Sequence, residues 1–250
     1  MKDMGAGRGS RGAALVETLI VTPVLLLITL GAVQWALIYE ARNTLNHAAF
    51  MAARAGATDH GSQTAIRLAL GQGLLPLYAP DASAGSLAAR AVEVGRDLAL
   101  FTRIRILNPT REAFEDFGVD PDRSEIPNDR LYLAPTEPGP RSGLSVQDAN
   151  LLKLEVLYGY PLKVPFVNKV VATVGAWVAP DPTHRAYLAA GRIPVLATAV
   201  VRMQTPMRRN GWVVSRAEVE ARLDRALRNR RGPASGPGHR PWDSGPTGGG

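Results

Sequence analysis

Cysteine is absent from the 250 residues. Its absence excludes disulfides, thiolate metal sites and a cysteine nucleophile, and leaves the redox character of the compartment open. Histidine is scarce. His47, His60, His184 and His239 are dispersed, with no HExxH pair and no other metal-ligand spacing. There is no GxSxG elbow and no glycine loop of the phosphate-cradling kind. The acids Glu112, Glu115, Asp116, Asp120 and Asp122 are dense enough to suggest oxygen ligands, but EF-hand spacing is missing, and solvated loop charge is their expected role. No catalytic residue, cofactor or metal site is therefore assigned from the sequence. A non-enzymatic role is expected, although triads do assemble from distant positions.

Charge is also missing from one long stretch. No Asp, Glu, Lys or Arg occurs between Glu17 and Glu40, and the interval is Leu, Ile, Val, Thr, Ala, Gly and aromatics with one Gln34 and one Pro23. At ~1.5 Å rise per residue, about 20 apolar residues span the ~30 Å hydrocarbon layer of a bilayer. A lone crossing segment must satisfy its backbone internally, so Thr18–Tyr39 is predicted to cross as a helix. Lys2, Arg8 and Arg11 precede it, with Asp3 the only acid. Positive charge keeps that end in the cytoplasm and sends the C-terminal mass across. A secretory signal fits poorly: its core runs about 7–15 residues with a small-residue cleavage site just beyond, whereas Ala53-Arg54-Ala55 lies far downstream. Pro23 withdraws the hydrogen bond owed to the carbonyl of Leu19 and predicts a kink, with Thr18 and Thr22 able to meet freed backbone groups. Gly31 and Ala32 permit close approach by another helix, and Trp35 and Tyr39 suit an outer aromatic belt.

The helix is expected to continue beyond the membrane. Glu40 to Ala55 contains no proline or glycine, and Ala41, Leu45, Ala48, Ala49 and Ala52 share one face. Gly56 is the expected stop. A single helix from Ala13 would be about 65 Å long. Its small residues suit either bundling with other helices or packing on the chain's own globular domain, and the pattern does not separate the two.

The left edge of the run carries a second signal. A short basic leader ends at Gly12, Ala13 follows, and Glu17 stands at the fifth position after the glycine. With Pro23 and the Ala-rich continuation to Ala52-Ala-Arg54-Ala-Gly56, this edge resembles the processing site of type IV prepilins, specifically the TadE-like minor pseudopilins of the tight adherence (Flp) pilus. The resemblance implies a prepilin peptidase cut between Gly12 and Ala13. It also implies that Glu17 pairs with a freed terminal amine and so guides the packing of one subunit beside the next. Major Flp pilins place an aromatic after the glutamate, where this chain has Thr18, so the minor-pilin likeness is the one that stands. Ile106-Leu-Asn-Pro-Thr110, Ile126-Pro-Asn-Asp129, Asp148-Ala-Asn-Leu-Leu152 and Val201-Arg-Met-Gln204 also look like parts of longer TadE-like proteins.

The remaining chain, 46% hydrophobic overall, holds enough apolar residues for a packed core. Ser62 is the expected cap of a helix ended by Gly73 and Pro76, and Ser86 opens another to Arg96 bearing Leu87, Ala91, Val94 and Leu98 on one face. Leu100, Ile104 and Ile106 alternate with Arg103 and Arg105 as a half-buried strand. Residues 108–150, with six prolines, read as a long structureless connection and a candidate partner surface. Leu152, Leu154, Val156 and Tyr158 define a second strand, ended by Pro161. Phe166–Val178 is predicted to be a short helix whose apolar face lies against either the domain or the bilayer. A third strand covers Val195–Gln204. After Pro206 the chain turns arginine-rich, in keeping with a formal charge of +7. Ser215 and Glu218 suggest a capping box for a helix to about Asn229, with Glu218–Arg222 as an i, i+4 pair. Residues 230–250 are Gly, Pro and Ser with scattered charge and are expected to be disordered. No aromatic interleaving or motif accompanies the basic helix, so nucleic acid is not an expected partner.

The expected organisation is thus α+β: a leader at 1–12, a transmembrane and stalk helix at 13–56, and a periplasmic head at 57–206. The head should hold an antiparallel sheet of about three strands, with loop 108–150, flanking helices, a basic helix at 207–229 and a tail at 230–250. The resemblance implies a minor pilin or pilus-assembly component in the bacterial inner membrane, single-pass with its N-terminus cytoplasmic and its C-terminal domain periplasmic, and open to incorporation in the pilus. Its implied partners are other pilins, pilus-assembly proteins, a prepilin peptidase and the lipid bilayer. An uncleaved, signal-anchored assembly or secretion subunit and a membrane-tethered enzyme are the alternatives.

Overall fold

The computed structural model describes residues 9–78, 84–165, 167–179 and 182–231. Helix α1 (Gly9–Thr58) runs unbroken through Pro23, and at ~1.5 Å per residue it is about 75 Å long. It has two unlike halves. Every residue from Leu15 to Thr29 is exposed, whereas from Leu30 onward one face is progressively covered. Ala41, Leu45, Ala48, Ala49, Ala52, Ala53 and Ala57 are buried in the head. The small-residue stripe of the outer half therefore packs on the chain's own domain.

The head is a three-stranded antiparallel sheet of order β1-β3-β4, packed across α1, with helices around it. β1 is Thr102–Asn108, β3 Leu151–Pro161 and β4 Arg192–Arg202. Ile106 pairs with Leu154 and Ile104 with Val156, which in turn faces Ala197 across the other ladder. Period-two alternation turns Ile106, Leu152, Leu154, Val156, Tyr158, Val195, Ala197 and Ala199 toward α1, and all eight are buried.

Helix α2 (Gln63–Leu74) is capped as its sequence predicts, the Ser62 hydroxyl accepting from the Ala65 amide at 3.4 Å. It crosses α1 at contact distance: a Cβ built at Gly73 would sit 2.6 Å from the Ala48 Cα. Gly73 thus serves close approach inside the helix, and the chain leaves α2 through a 3-10 turn, Leu75–Leu77, that contains Pro76. Gly56 is likewise not the stop of α1. A Cβ there would meet Ile66 at 2.8 Å and Leu152 at 3.1 Å, and the helix ends two residues later at Thr58. The reversal falls on His60 and Gly61, both at positive φ. It is pinned by the His60 amide donating to the Thr205 hydroxyl at 2.8 Å and His60 Nδ1 donating to the Pro206 carbonyl at 2.9 Å.

Helix α3 (Ala84–Phe101) is longer than expected at both ends and takes in Leu100, which is exposed and not part of the strand. Residues 108–150 are not structureless. They contain α4 (Arg111–Phe117), β2 (Glu125–Ile126) and α5 (Val146–Ala149), and β2 pairs with β5 (Met207–Arg208). Helix α6 (Val167–Val178) stands where the sequence put it, followed by α7 (Pro182–Ala189), which had no apolar period to announce it. Helix α8 (Arg216–Arg231) is capped at Ser215, whose hydroxyl accepts from the Glu218 amide at 3.3 Å. The fold is α+β, a long apolar helix followed by a small domain built on an antiparallel three-stranded sheet. Leader residues 1–8 and tail residues 232–250 lie outside the described residues.

Candidate functional site

The candidate site is the exposed half of α1 together with the surface where the head grips it. Gly12 and Ala13 lie within α1. Glu17 is exposed on a helical surface otherwise made of Leu15, Val16, Leu19, Ile20 and their neighbours. A carboxylate so placed costs a few kcal/mol toward mid-bilayer and is kept near an interface or with a partner. At Gly31 a Cβ would meet nothing within 4 Å, leaving open room on that side of the helix. Among the described residues, α1 is the one helix long and apolar enough to cross a membrane.

The head first grips α1 inside the apolar run. Gln34 is 1% exposed, and its Oε1 accepts from the Val164 amide at 2.9 Å in the connection between β3 and α6. A lone amide in an otherwise apolar segment was the sequence signal for this contact, because a buried polar side chain needs a partner.

Deeper in the head, a polar cluster joins elements far apart in sequence. Asp97 on α3 receives both guanidinium nitrogens of Arg192 from β4, at 2.9 and 3.0 Å, and the Tyr78 hydroxyl at 2.7 Å. Tyr78 also shares a hydrogen bond with the Tyr158 hydroxyl, and Arg192 stacks 3.7 Å from the Phe101 ring centroid. Burial, then the bonds to Tyr158 and Asp97, hold the Tyr78 phenol well above its ordinary range. Burial also lifts Tyr158, to about 12. No sequence signal announced this cluster, since an Asp and an Arg on separate elements read as surface charge.

Segments 106–110, 126–129, 148–152 and 201–204 of the head meet in space around asparagine side chains. Asn150 is fully buried, and its Nδ2 donates to the carbonyls of Pro127 at 3.0 Å and Val146 at 2.9 Å. Asn108 Nδ2 donates to the Asp148 carbonyl at 2.7 Å, Asn128 Nδ2 to the Met203 carbonyl at 3.4 Å, and the Met203 amide to the Asn150 carbonyl at 2.9 Å. These residues organise the head's backbone. The loop acids do similar work. Asp116 accepts from the Ser142 amide at 2.8 Å and hydroxyl at 2.7 Å. Desolvation pushes its carboxyl up, but these bonds and Arg141 win and leave it below the ordinary range. Asp120 accepts from the Ser124 amide and hydroxyl, and Glu112 from the Arg216 amide. Solvated charge was the expectation for these acids; a backbone-binding role replaces it for Asp116 and Asp120, while Asp122 is exposed. Arg222 of α8 pairs with Glu155 of β3 and, at 3.4 Å, with Glu218, while Arg216 pairs with Glu220 at 2.7 Å. Two arginines of the basic helix are thus neutralised within the chain.

A groove of about 540 Å³ lies between α2 and α3, floored by Gly71, Val94, Gly95 and Leu98. Among the described residues no three His, Asp or Glu side chains converge as a metal site.

These features define a class, an α+β head carried on a long apolar helix of the kind that anchors single-pass membrane proteins. The family model described as TadE-like protein matches residues 12–54. The segment from Gly12 through most of the buried stripe, as far as Ala53, is therefore TadE-like, which supports a Tad pilus-associated, pilin-like protein. The match stops at Arg54 and does not reach the four head segments. No curated protein and no solved structure matches the chain.

Proposed function

We propose that the chain is a minor pilin, or pseudopilin, or an assembly component of a bacterial tight adherence pilus. In this reading α1 crosses the inner membrane with its N-terminus cytoplasmic and the head periplasmic. A prepilin peptidase removes residues 1–12, and Glu17 then meets the freed amine of a neighbouring pilin. The observation that carries the reading is the fully exposed apolar surface from Leu15 to Thr29 with Glu17 as its carboxylate, five positions after Gly12 and inside the matched segment. An apolar helix with nothing of its own chain against it needs lipid or other helices. The outer stripe is already taken by the head, so lateral packing falls to Leu15–Thr29 and the open side at Gly31. The head, held outside, would prime or adjust the filament and through it contribute to adhesion.

N-terminal sequencing of the protein extracted from membranes tests this directly. The expected first residue is Ala13, and recovery of Met1 or Lys2 in cells with an active peptidase overturns processing. Glu17→Ala is expected to insert normally and to impair piliation, and Gly12→Asp to leave a protein about a dozen residues longer, because the cut needs a small residue.

A further inference from the structure

Helix α6 wears its surface inside out. The residues it exposes, Lys169, Val170, Thr173, Val174 and Trp177, recur at i, i+1, i+4, i+5 and i+8 and so form one stripe. Trp177 is 86% exposed, Val174 56% and Val170 45%. The opposite side is occupied: a Cβ at Gly175 would lie 3.2 Å from Leu188 of α7. A surface helix of a water-soluble domain turns its polar residues outward. This one turns valines and a tryptophan.

Its position along α1 says what covers that stripe. The Gln34–Val164 hydrogen bond fixes the chain three residues before α6, and α6 itself packs on α1. Gln34 lies five residues inside Tyr39, the last residue of the uncharged run, which is ~8 Å along the helix axis. The rings that mark the outer boundary, Trp35 and Tyr39, are 73% and 64% exposed beside it. The head's grip on α1 therefore begins below the level at which that boundary falls, and α6 sits at that level. The charge is matched too. From residue 163 to 191 the chain carries Lys163, Lys169 and Arg185 against the single acid Asp181. A helix with an apolar stripe flanked by cations lies in the headgroup–acyl boundary and favours anionic lipid.

We propose that α6 is an interfacial foot: its Val170–Val174–Trp177 stripe embeds in the outer leaflet beside the α1 crossing and sets the height and tilt of the head on the bilayer. The proposal rests on the reading of α1 as a membrane crossing.

The absence of cysteine makes the test clean. Single nitroxide labels are attached to the full chain through Val24→Cys in the crossing, Thr173→Cys, Val174→Cys and Trp177→Cys on α6, and Tyr132→Cys on the far head. All five positions are exposed, so none of these changes disturbs the core. The protein is reconstituted in phosphatidylethanolamine–phosphatidylglycerol vesicles, and collision with oxygen is compared with collision with a water-soluble nickel chelate. Labels at 173, 174 and 177 are expected to favour oxygen several-fold over the label at 132, at a depth shallower than the label at 24. If the label at 24 reports lipid while those on α6 match 132, or are shielded from both reagents by protein, the foot is overturned and the crossing stands. If 24 also reports water, the crossing fails and the foot fails with it.

Discussion

Tyr158 points from the central strand into the cluster of Tyr78, Asp97 and Arg192, and its burial has a consequence that pH can reveal. Tyr78, Tyr158, Tyr160 and Tyr187 are all raised by desolvation, Tyr158 to about 12. An unfolded phenol titrates near ~10. Since the folded values lie above that, the stability linked to these groups is complete below about pH 10 and is lost as pH rises through the folded values. Ellipticity of the head is expected to fall only above that threshold, together with a late rise in tyrosinate absorbance from these four residues. Full tyrosinate formation near the ordinary phenol value, with ellipticity intact, would show that the cluster is open to water. The residues that sequence reading singled out in this half of the chain were the acids of 112–122. Asp116 and Asp120 hold backbone in place, Asp116 by tying Ser142 across the segment and Asp120 by closing its own turn, because a carboxylate reaching two or three amides becomes part of the backbone's own hydrogen bonding.

At the scale of elements, the Asp97–Arg192 pair staples α3 to β4. Both side chains are mostly buried, at 4% and 12% exposure. Removing one partner of such a pair leaves the other charge stranded and costs about 3–5 kcal/mol. Asp97→Ala is therefore expected to lower denaturant stability by that order, with early loss of protection in α3 on hydrogen exchange. A loss confined to a few tenths of a kcal/mol would place the pair among surface ion pairs. The three strands were legible because Leu152, Leu154, Val156 and their partners alternate on a sheet with one buried face. Leu100 was misassigned because the apolar last turn of α3, Leu98-Ala99-Leu100-Phe101, runs straight into β1. Helix α7 was missed although Pro182 occupies its first position, a placement that favours a helix start. Segment 108–150 was opaque for a different reason. Its order comes from long-range bonds such as Asn150 to Pro127 and Arg141 to Glu115, and no local pattern encodes those.

For the molecule as a whole, the question is where the anchor ends and the head begins. Sequence pattern put the boundary at 57, treating residues 40–56 as stalk. Yet Ala41, Leu45, Ala48, Ala49 and Ala52 are fully buried, and they cover Ile66, Leu70 and Leu74 of α2 on one side and Leu152, Leu154 and Val156 of β3 on the other. Baring those six side chains forfeits about 1.5–3 kcal/mol each, a sum comparable with the roughly 5–15 kcal/mol by which a whole domain is stable. We therefore place the functional boundary within α1, near Glu40, so that one rigid helix is both the membrane segment and the central beam of the head's core. Two fragments decide it. Residues 40–231 are expected to fold cooperatively, with a cold-stable helical spectrum and a single unfolding transition, because they keep the buried stripe from Ala41 onward and lose the exposed crossing, the Gln34–Val164 bond and the partial cover given by Ile38. Residues 57–231 are expected to bind hydrophobic dye and to unfold without a cooperative transition. If the shorter fragment melts cooperatively at the temperature of the longer one, the outer half of α1 is a free stalk after all. Its small residues would then be available to neighbouring pilins, and packing of the filament could extend beyond Leu15–Thr29 to the whole length of the helix.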